Sequence, residues 1–188
     1  MKAAYVALIV VASIVTAVLI GYLSRGPAHI NVILISIDTL RPDHLGCYGY
    51  DRSTSPRIDR FSEDAVVFEN AFASVPLTLP SHSSMLTGLY SISHGVRDNG
   101  AFMLAPEFTT LAELLKPEGY ETAAFIGAFV LDSRYGLDQG FDRYADEMTG
   151  GRQLSAFGYV EKTADQVTSE FVEWLDGAEG PFFAFVHY

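Results

Sequence analysis

Two positions in this chain combine residue types that can do chemistry with places that would present them. Asp38 directly follows the β-branched run HINVILISI, residues 29–37. A carboxylate in the loop after a parallel strand is placed to hold a hard metal ion, or else to cap the amides of Thr39 and Leu40. The second position lies in SVPLTLPSHSSMLTGLY, residues 74–90, where a Pro-Ser pair opens a short run that stops at a glycine. That run reads as a brief helix whose start carries Thr78, Ser81, His82, Ser83 and Ser84. Thr78 precedes Pro80, so its hydroxyl is expected at the helix N-terminus, where free N–H groups and the dipole favour an anion. Beside a metal, such a place lowers the cost of forming an alkoxide and suits a sulfate or phosphate ester. The plainer alternative makes Thr78 an ordinary N-cap.

These residues need a scaffold, and the rest of the chain supplies one. The run 29–37 is too short to span a membrane and is typical of a buried parallel strand. Ser55-Pro56 predicts a helix from Pro56 to Asp64, and Ala65 to Phe68 reads as a short strand. Thr110 and Glu113 have capping-box spacing ahead of a helix that Gly119 closes. Glu121 to Ile126 is another apolar strand. Tyr159 to Leu175 has helical spacing through Val160, Ala164, Val167, Phe171 and Leu175, and PFFAFVHY is a final strand. Strands alternating with helices predict an α/β layered sandwich around a mostly parallel sheet. A chain whose last residues form a buried strand is expected to be truncated, with more of the domain after Tyr188.

Composition narrows the function classes. The chain has 188 residues, 49% of them hydrophobic and 13% aromatic, which suits one globular domain with a real core. Its net charge of −11 argues against nucleic acid as a partner, and setting aside Lys2 and Arg25 leaves the remainder more acidic still. One cysteine, Cys47, excludes an internal disulfide framework and a Cys-rich metal knuckle, and reads as a packing residue.

The first residues are a different material. AAYVALIVVASIVTAVLIGYLS, from Ala3 to Ser24, has no charged side chain. A helix of about 20 residues crosses the hydrocarbon core of a bilayer, and this run exceeds the roughly 7–15 residues of a signal-peptide apolar region. Residues 1–24 are therefore expected to be an uncleaved signal anchor. Residues 25–28 follow as a linker and 29–188 as the domain, giving a single-pass membrane protein with its domain outside the cytoplasm.

The strand and helix motifs together resemble a known family. ILISIDTLRPDHLGCYGY, SPRIDRFSEDAVVFENAFAS, TLPSHSSMLTGLYSISHGVRDNG and GYETAAFIG are similar to the N-terminal part of the sulfatase family, within the alkaline-phosphatase superfamily. The resemblance runs from Asn31 to Tyr188. It implies an α/β sandwich around a large mixed sheet with the active site at the strand carboxyl ends. It also implies a divalent metal, Ca2+ by the sulfatase pattern or Zn2+ by the phosphodiesterase pattern. Asp38 and Thr78 would be ligands, and others would lie beyond Tyr188.

The chain departs from the family at defined places. Sulfatases use a Cys or Ser, followed by x-Pro-x-Arg, as formylglycine precursor, whereas this chain reads Thr78-Leu79-Pro80-Ser81-His82. Oxidising the secondary alcohol of threonine gives a ketone, so no formylglycine is expected. His82 replaces the family Arg, Thr39 follows Asp38 where a second acid is common, and Gly127-Ala128-Phe129-Val130 replaces Gly-Lys-x-His. Related branches of the superfamily use a metal-bound threonine, and by that resemblance Thr78 is the expected nucleophile. His82 is expected to act in catalysis by contacting the ester or holding Thr78. Arg97 and Asn99 are expected to bind substrate, although Asp98-Asn99-Gly100 is also strong turn chemistry. Arg41 and Asp43 are expected as structural partners, and His187 as a core or supporting histidine. The implied function is metal-dependent hydrolysis of a sulfate or phosphate ester on a small molecule, lipid or glycan. The alternatives are a membrane-anchored phosphotransferase of envelope lipids or polymers, and a non-catalytic sulfatase-like binding domain.

Overall fold

Apolar runs of six residues, ETAAFI and FFAFVH, form the centre of the domain because parallel strands covered on both faces favour continuous hydrophobic sequence, and VILIS lies beside them at the sheet edge. The computed structural model describes residues 30–148, 152–153 and 160–188. In chain order the elements are β1 (Val32–Ser36), α1 (Pro56–Ser62), α2 (Thr78–Thr87), α3 (Ser91–His94), α4 (Leu111–Leu115), β2 (Glu121–Ile126), β3 (Arg143–Ala145), β4 (Arg152–Gln153), β5 (Val160–Glu161), α5 (Ala164–Leu175) and β6 (Phe182–His187). Four strands make a wholly parallel sheet in the order β1-β6-β2-β3. β4 and β5 pair antiparallel as a separate ribbon.

The two-residue alternation of β6 divides the core into two layers. Phe183 and Phe185 face Leu79 and Leu86 of α2, together with Leu104, Ile126 and Leu131. Ala184 and Val186 face Val167 and Trp174 of α5, with Phe125 beside them. The small residues on the second face let the bulky Trp174 approach, and its indole N–H donates to Glu121 Oε1 at 3.0 Å. β1 is an edge strand. Val32 and Leu34 pack on the α2 layer, while Ile33 and Ile35 remain exposed.

Local signals account for several boundaries. The capping box at Thr110 and Glu113 is formed, and Gly119 ends that segment with a φ of 86°. A second box, Thr163 with Gln166, starts α5. Two expectations are corrected. Helical structure begins at Ala164 rather than Tyr159, because Val160 and Glu161 pair with Arg152 and Gln153 before the capping box. Ala65 to Phe68 forms no strand, since no neighbouring segment among the described residues offers it a ladder, and Val66 and Phe68 are exposed. The expected membrane anchor over 1–24 and linker over 25–28 lie outside the described residues. Among the described residues no helix is long and apolar enough to cross a membrane.

Candidate active site

The carboxyl ends of β1, β6 and β2 lie level, with Ser36 opposite His187 and His187 opposite Ile126. The ladder runs slightly further: Tyr188 N donates to Ser36 O and Asp38 N donates to Tyr188 O, each at 2.9 Å. Asp38 thus leaves the sheet at a fixed height. The next residue, Thr39, has a φ of 56°. A β-branched residue in the left-handed region is strained, so the chain turns sharply immediately past Asp38.

Thr78 is the first residue of α2, and its hydroxyl donates to Asp38 Oδ2 at 2.9 Å. It is not the N-cap; that position belongs to Leu77 in extended conformation, which makes no side-chain cap. Capping comes instead from Asn99, whose Oδ1 accepts from Leu79 N at 2.9 Å. Because a backbone N–H requires an acceptor there, the amide oxygen faces the helix and the Asn99 NH2 has no partner among the described residues. This also corrects the expectation of several open N–H groups. Leu79 N is taken, Pro80 has none, and Ser81 N donates to Leu77 O at 3.1 Å. Among the first four helical residues only Thr78 N lacks a partner within the described chain.

His82 ties this helix end to the sheet. Its Nδ1 lies 2.7 Å from Thr78 O and its Nε2 2.8 Å from Ser36 Oγ. The carbonyl can only accept, so Nδ1 carries the proton and Ser36 donates to Nε2. The side chain is 3% exposed, and burial holds its pKa below the ordinary histidine value despite the Thr78 carbonyl and the Asp38 charge. Of the two roles expected for His82, its contacts match the holding of Thr78, made through the backbone carbonyl. Behind it, 4.9 Å away in an edge-on arrangement, lies the fully buried ring of His187. The Nε2 of His187 is 3.9 Å from Asp38 Oδ2.

The other expected residues are distributed around this centre. Arg97 is exposed and makes no ion pair among the described residues. Arg41 and Asp43 pair with each other at the surface, Arg41 Nε donating to Asp43 Oδ1 at 3.0 Å. Ser83 is buried and donates to Leu79 O, and Ser84 bonds His94, so neither serves the site. Gly127 to Val130 leave β2 into a turn at Phe129–Leu131 and bring no cation. Gly127 itself is required, because a Cβ there would stand 2.9 Å from His187 O. Asp38, Thr39, Leu77, Thr78, Ser81 and His82 share an open cleft of about 400 Å³. The sequence reading missed Ser36, whose only signal was its place at the end of an apolar strand.

The donor chemistry fits a hard divalent cation in part. Asp38 Oδ2 and Thr78 Oγ1 are two oxygens converging on one cleft. Among the described residues no three His, Cys, Asp or Glu side chains gather in a metal-binding cluster, so these two would form one side of a larger ligand set.

A parallel sheet covered on both faces, with the site at its carboxyl edge, is the alkaline-phosphatase-like architecture. A protein of the alkaline phosphatase superfamily from Vibrio parahaemolyticus shares it with a TM-score of 0.63 at 20% identity, over 87% of this chain and 41% of that one. The sulfatase family model matches residues 30–188, and the chain belongs to the sulfatase family. It is 32% identical over 153 residues to N-acetylgalactosamine-6-O-sulfatase of Bacteroides thetaiotaomicron, covering 76% of this chain and 29% of that protein. It is 38% identical over 95 residues to human iduronate 2-sulfatase, covering 50% and 17%. The structure of BT4656 with its substrate D-glucosamine-2-N,6-O-disulfate superposes with a TM-score of 0.70 at 26% identity, over 85% of this chain and 34% of that one. The chain spans under a third of the length of these curated relatives.

Proposed function

We propose that the complete protein is a metal-dependent ester hydrolase of the sulfatase family that uses Thr78 as its nucleophile, anchored by residues 1–24 with its domain outside the cytoplasm. The observation that carries this reading is the 2.9 Å hydrogen bond from Thr78 Oγ1 to Asp38 Oδ2 at the mouth of the cleft. The bond directs the hydroxyl proton to a carboxylate and leaves the oxygen lone pairs for an electrophile. Thr78 Oγ attacks the phosphorus of an ester, the bond to the alcohol oxygen breaks, and the alcohol leaves with a proton. Water then cleaves the phosphothreonine and regenerates the hydroxyl. Asp38 and Thr78 would hold a divalent ion, Ca2+ or Zn2+, which when bound supplies charge neutralisation at the transferring group. The Asn99 NH2 is the donor suited to a nonbridging oxygen.

Sulfate-ester relatives support the substrate class, and the threonine favours phosphorus within it. The test is turnover of an aryl phosphate diester and an aryl sulfate by the complete protein, followed by acid quenching and mass spectrometry of the Thr78 peptide. We expect faster turnover of the phosphate diester and a phosphoryl group, still carrying the second ester substituent, trapped on Thr78. Strong preference for the sulfate, or no trapped group with ordinary turnover, would overturn the nucleophile assignment. Binding of a sulfated glycan without any turnover would favour a non-catalytic domain.

A further inference from the structure

His187 is an unusual residue for its place. It ends β6, an interior strand, after five apolar residues in FFAFVH, and its side chain is fully buried. Neither ring nitrogen has a hydrogen-bond partner among the described residues. A buried polar group left unmade costs about 1–3 kcal/mol, so an apolar residue would serve the core better. The charged acceptor beside it is Asp38 Oδ2, 3.9 Å from Nε2. Two rings also pack near it, His82 at 4.9 Å and Phe185 at 6.3 Å between centroids. His82 cannot substitute for it, because both of its nitrogens are engaged.

We propose that His187 is a positioning residue whose Nε2–H holds the Asp38 carboxylate in the rotamer that meets Thr78. Bringing 3.9 Å to hydrogen-bond length requires a shift of about 1 Å, and the Asp38 side chain, 31% exposed, has room to turn. Asp38 Oδ2 then accepts from Thr78 on one side and His187 on the other. That fork fixes the carboxylate, and through it the direction of the Thr78 hydroxyl. The catalytic consequence rests on the function proposed above; the contact itself does not.

The test is a double-mutant cycle in the complete protein with His187→Phe, which keeps a ring without a donor, His187→Gln, which keeps an N–H, and Asp38→Ala. It is read in two ways, by the urea unfolding midpoint and by kcat on the better of the two aryl esters. In the unfolding arm we expect non-additivity: His187→Phe shifts the midpoint differently when Asp38 is alanine. In the kinetic arm we expect His187→Phe to lower kcat about tenfold or more with KM little changed, and His187→Gln to regain most of it. An additive cycle, wild-type kcat in His187→Phe, or equal loss in the Gln and Phe variants overturns the proposal. If His187→Phe does not fold, the cycle is run with His187→Leu, which also lacks a donor, and additivity there is equally decisive. If the wild type turns over neither ester, the proposed function fails while the unfolding arm still decides the contact.

Discussion

Thr78 Oγ1 and Asp38 Oδ2, 40 residues apart in sequence, are joined by a 2.9 Å hydrogen bond. The bond links the first residue of α2 to the loop that follows β1, so the sheet and the helix fix it from both sides. Asn99 caps the same helix end and His82 pins it to Ser36. The hydroxyl is therefore held before any ligand arrives.

Thr78→Ala is expected to lower kcat by about three orders of magnitude or more, as removal of covalent nucleophiles does. Its stability cost should be only about 1 kcal/mol, the net worth of one hydrogen bond. Thr78→Ser keeps the hydroxyl and should retain measurable turnover. Steady-state kinetics alongside urea unfolding separates the two effects. Near wild-type turnover in Thr78→Ala would place the nucleophile elsewhere.

Removal of the metal should act through Asp38. Chelation of the complete protein is expected to abolish turnover, and Ca2+ or Zn2+ to restore it. Metal at about 100 times its dissociation constant should stabilise the fold by about 2.7 kcal/mol. Asp38→Asn should remove most of that stabilisation, read as a lost shift in thermal unfolding. Full activity after exhaustive chelation would defeat the metal role of both Asp38 and Thr78.

The sequence carried the addresses of these residues better than their contacts. Asp38 was readable because an apolar run ended on it, and Thr78 because Pro80 and Gly88 bracket a helix. The capping of α2 was not readable: Asn99 lies 20 residues from Leu79 and presents itself as turn chemistry. His82 was ambiguous for the same reason, since its partner Ser36 is 46 residues away. The misread strand at 65–68 and the early helix start at Tyr159 share a different cause. Apolar spacing reports which residues seek burial, while pairing partners decide whether a strand forms and a capping box decides where a helix begins.

The anchor expectation is tested by fractionation. With residues 1–24 uncharged apart from Lys2, the expressed complete protein should stay with membranes through a carbonate wash. An intact N-terminus on the membrane-bound species would confirm an uncleaved anchor. Soluble protein lacking about the first 25 residues would instead identify a cleaved signal.

The buried histidines predict a specific acid sensitivity. Burial lowers the pKa of His82, and it lowers that of His187 from 6.5 to about 4, assisted by the neighbouring His82. In the unfolded chain both rings take protons near their ordinary value, so between about pH 6.5 and 4 the unfolded state binds more protons than the folded one. Stability therefore rises with pH across that window: the contribution is fully present above it and is lost as pH falls towards 4. For His187 the shift corresponds to about 3 kcal/mol over the whole window. Urea midpoints of the complete protein, measured in chelator so that metal occupancy does not enter, should fall steadily from pH 7 to pH 4. Carboxylates held low by cations, such as Asp132 beside Arg134 and Asp142 beside Lys116, add their losses below the histidine window. His187→Gln removes one titrating ring and should flatten the profile between pH 6.5 and 4 while leaving the steeper acid limb in place. Parallel profiles for the wild type and His187→Gln would mean that the His187 ring protonates as readily in the folded protein as in the unfolded chain, and that the carboxylates alone set the acid limit.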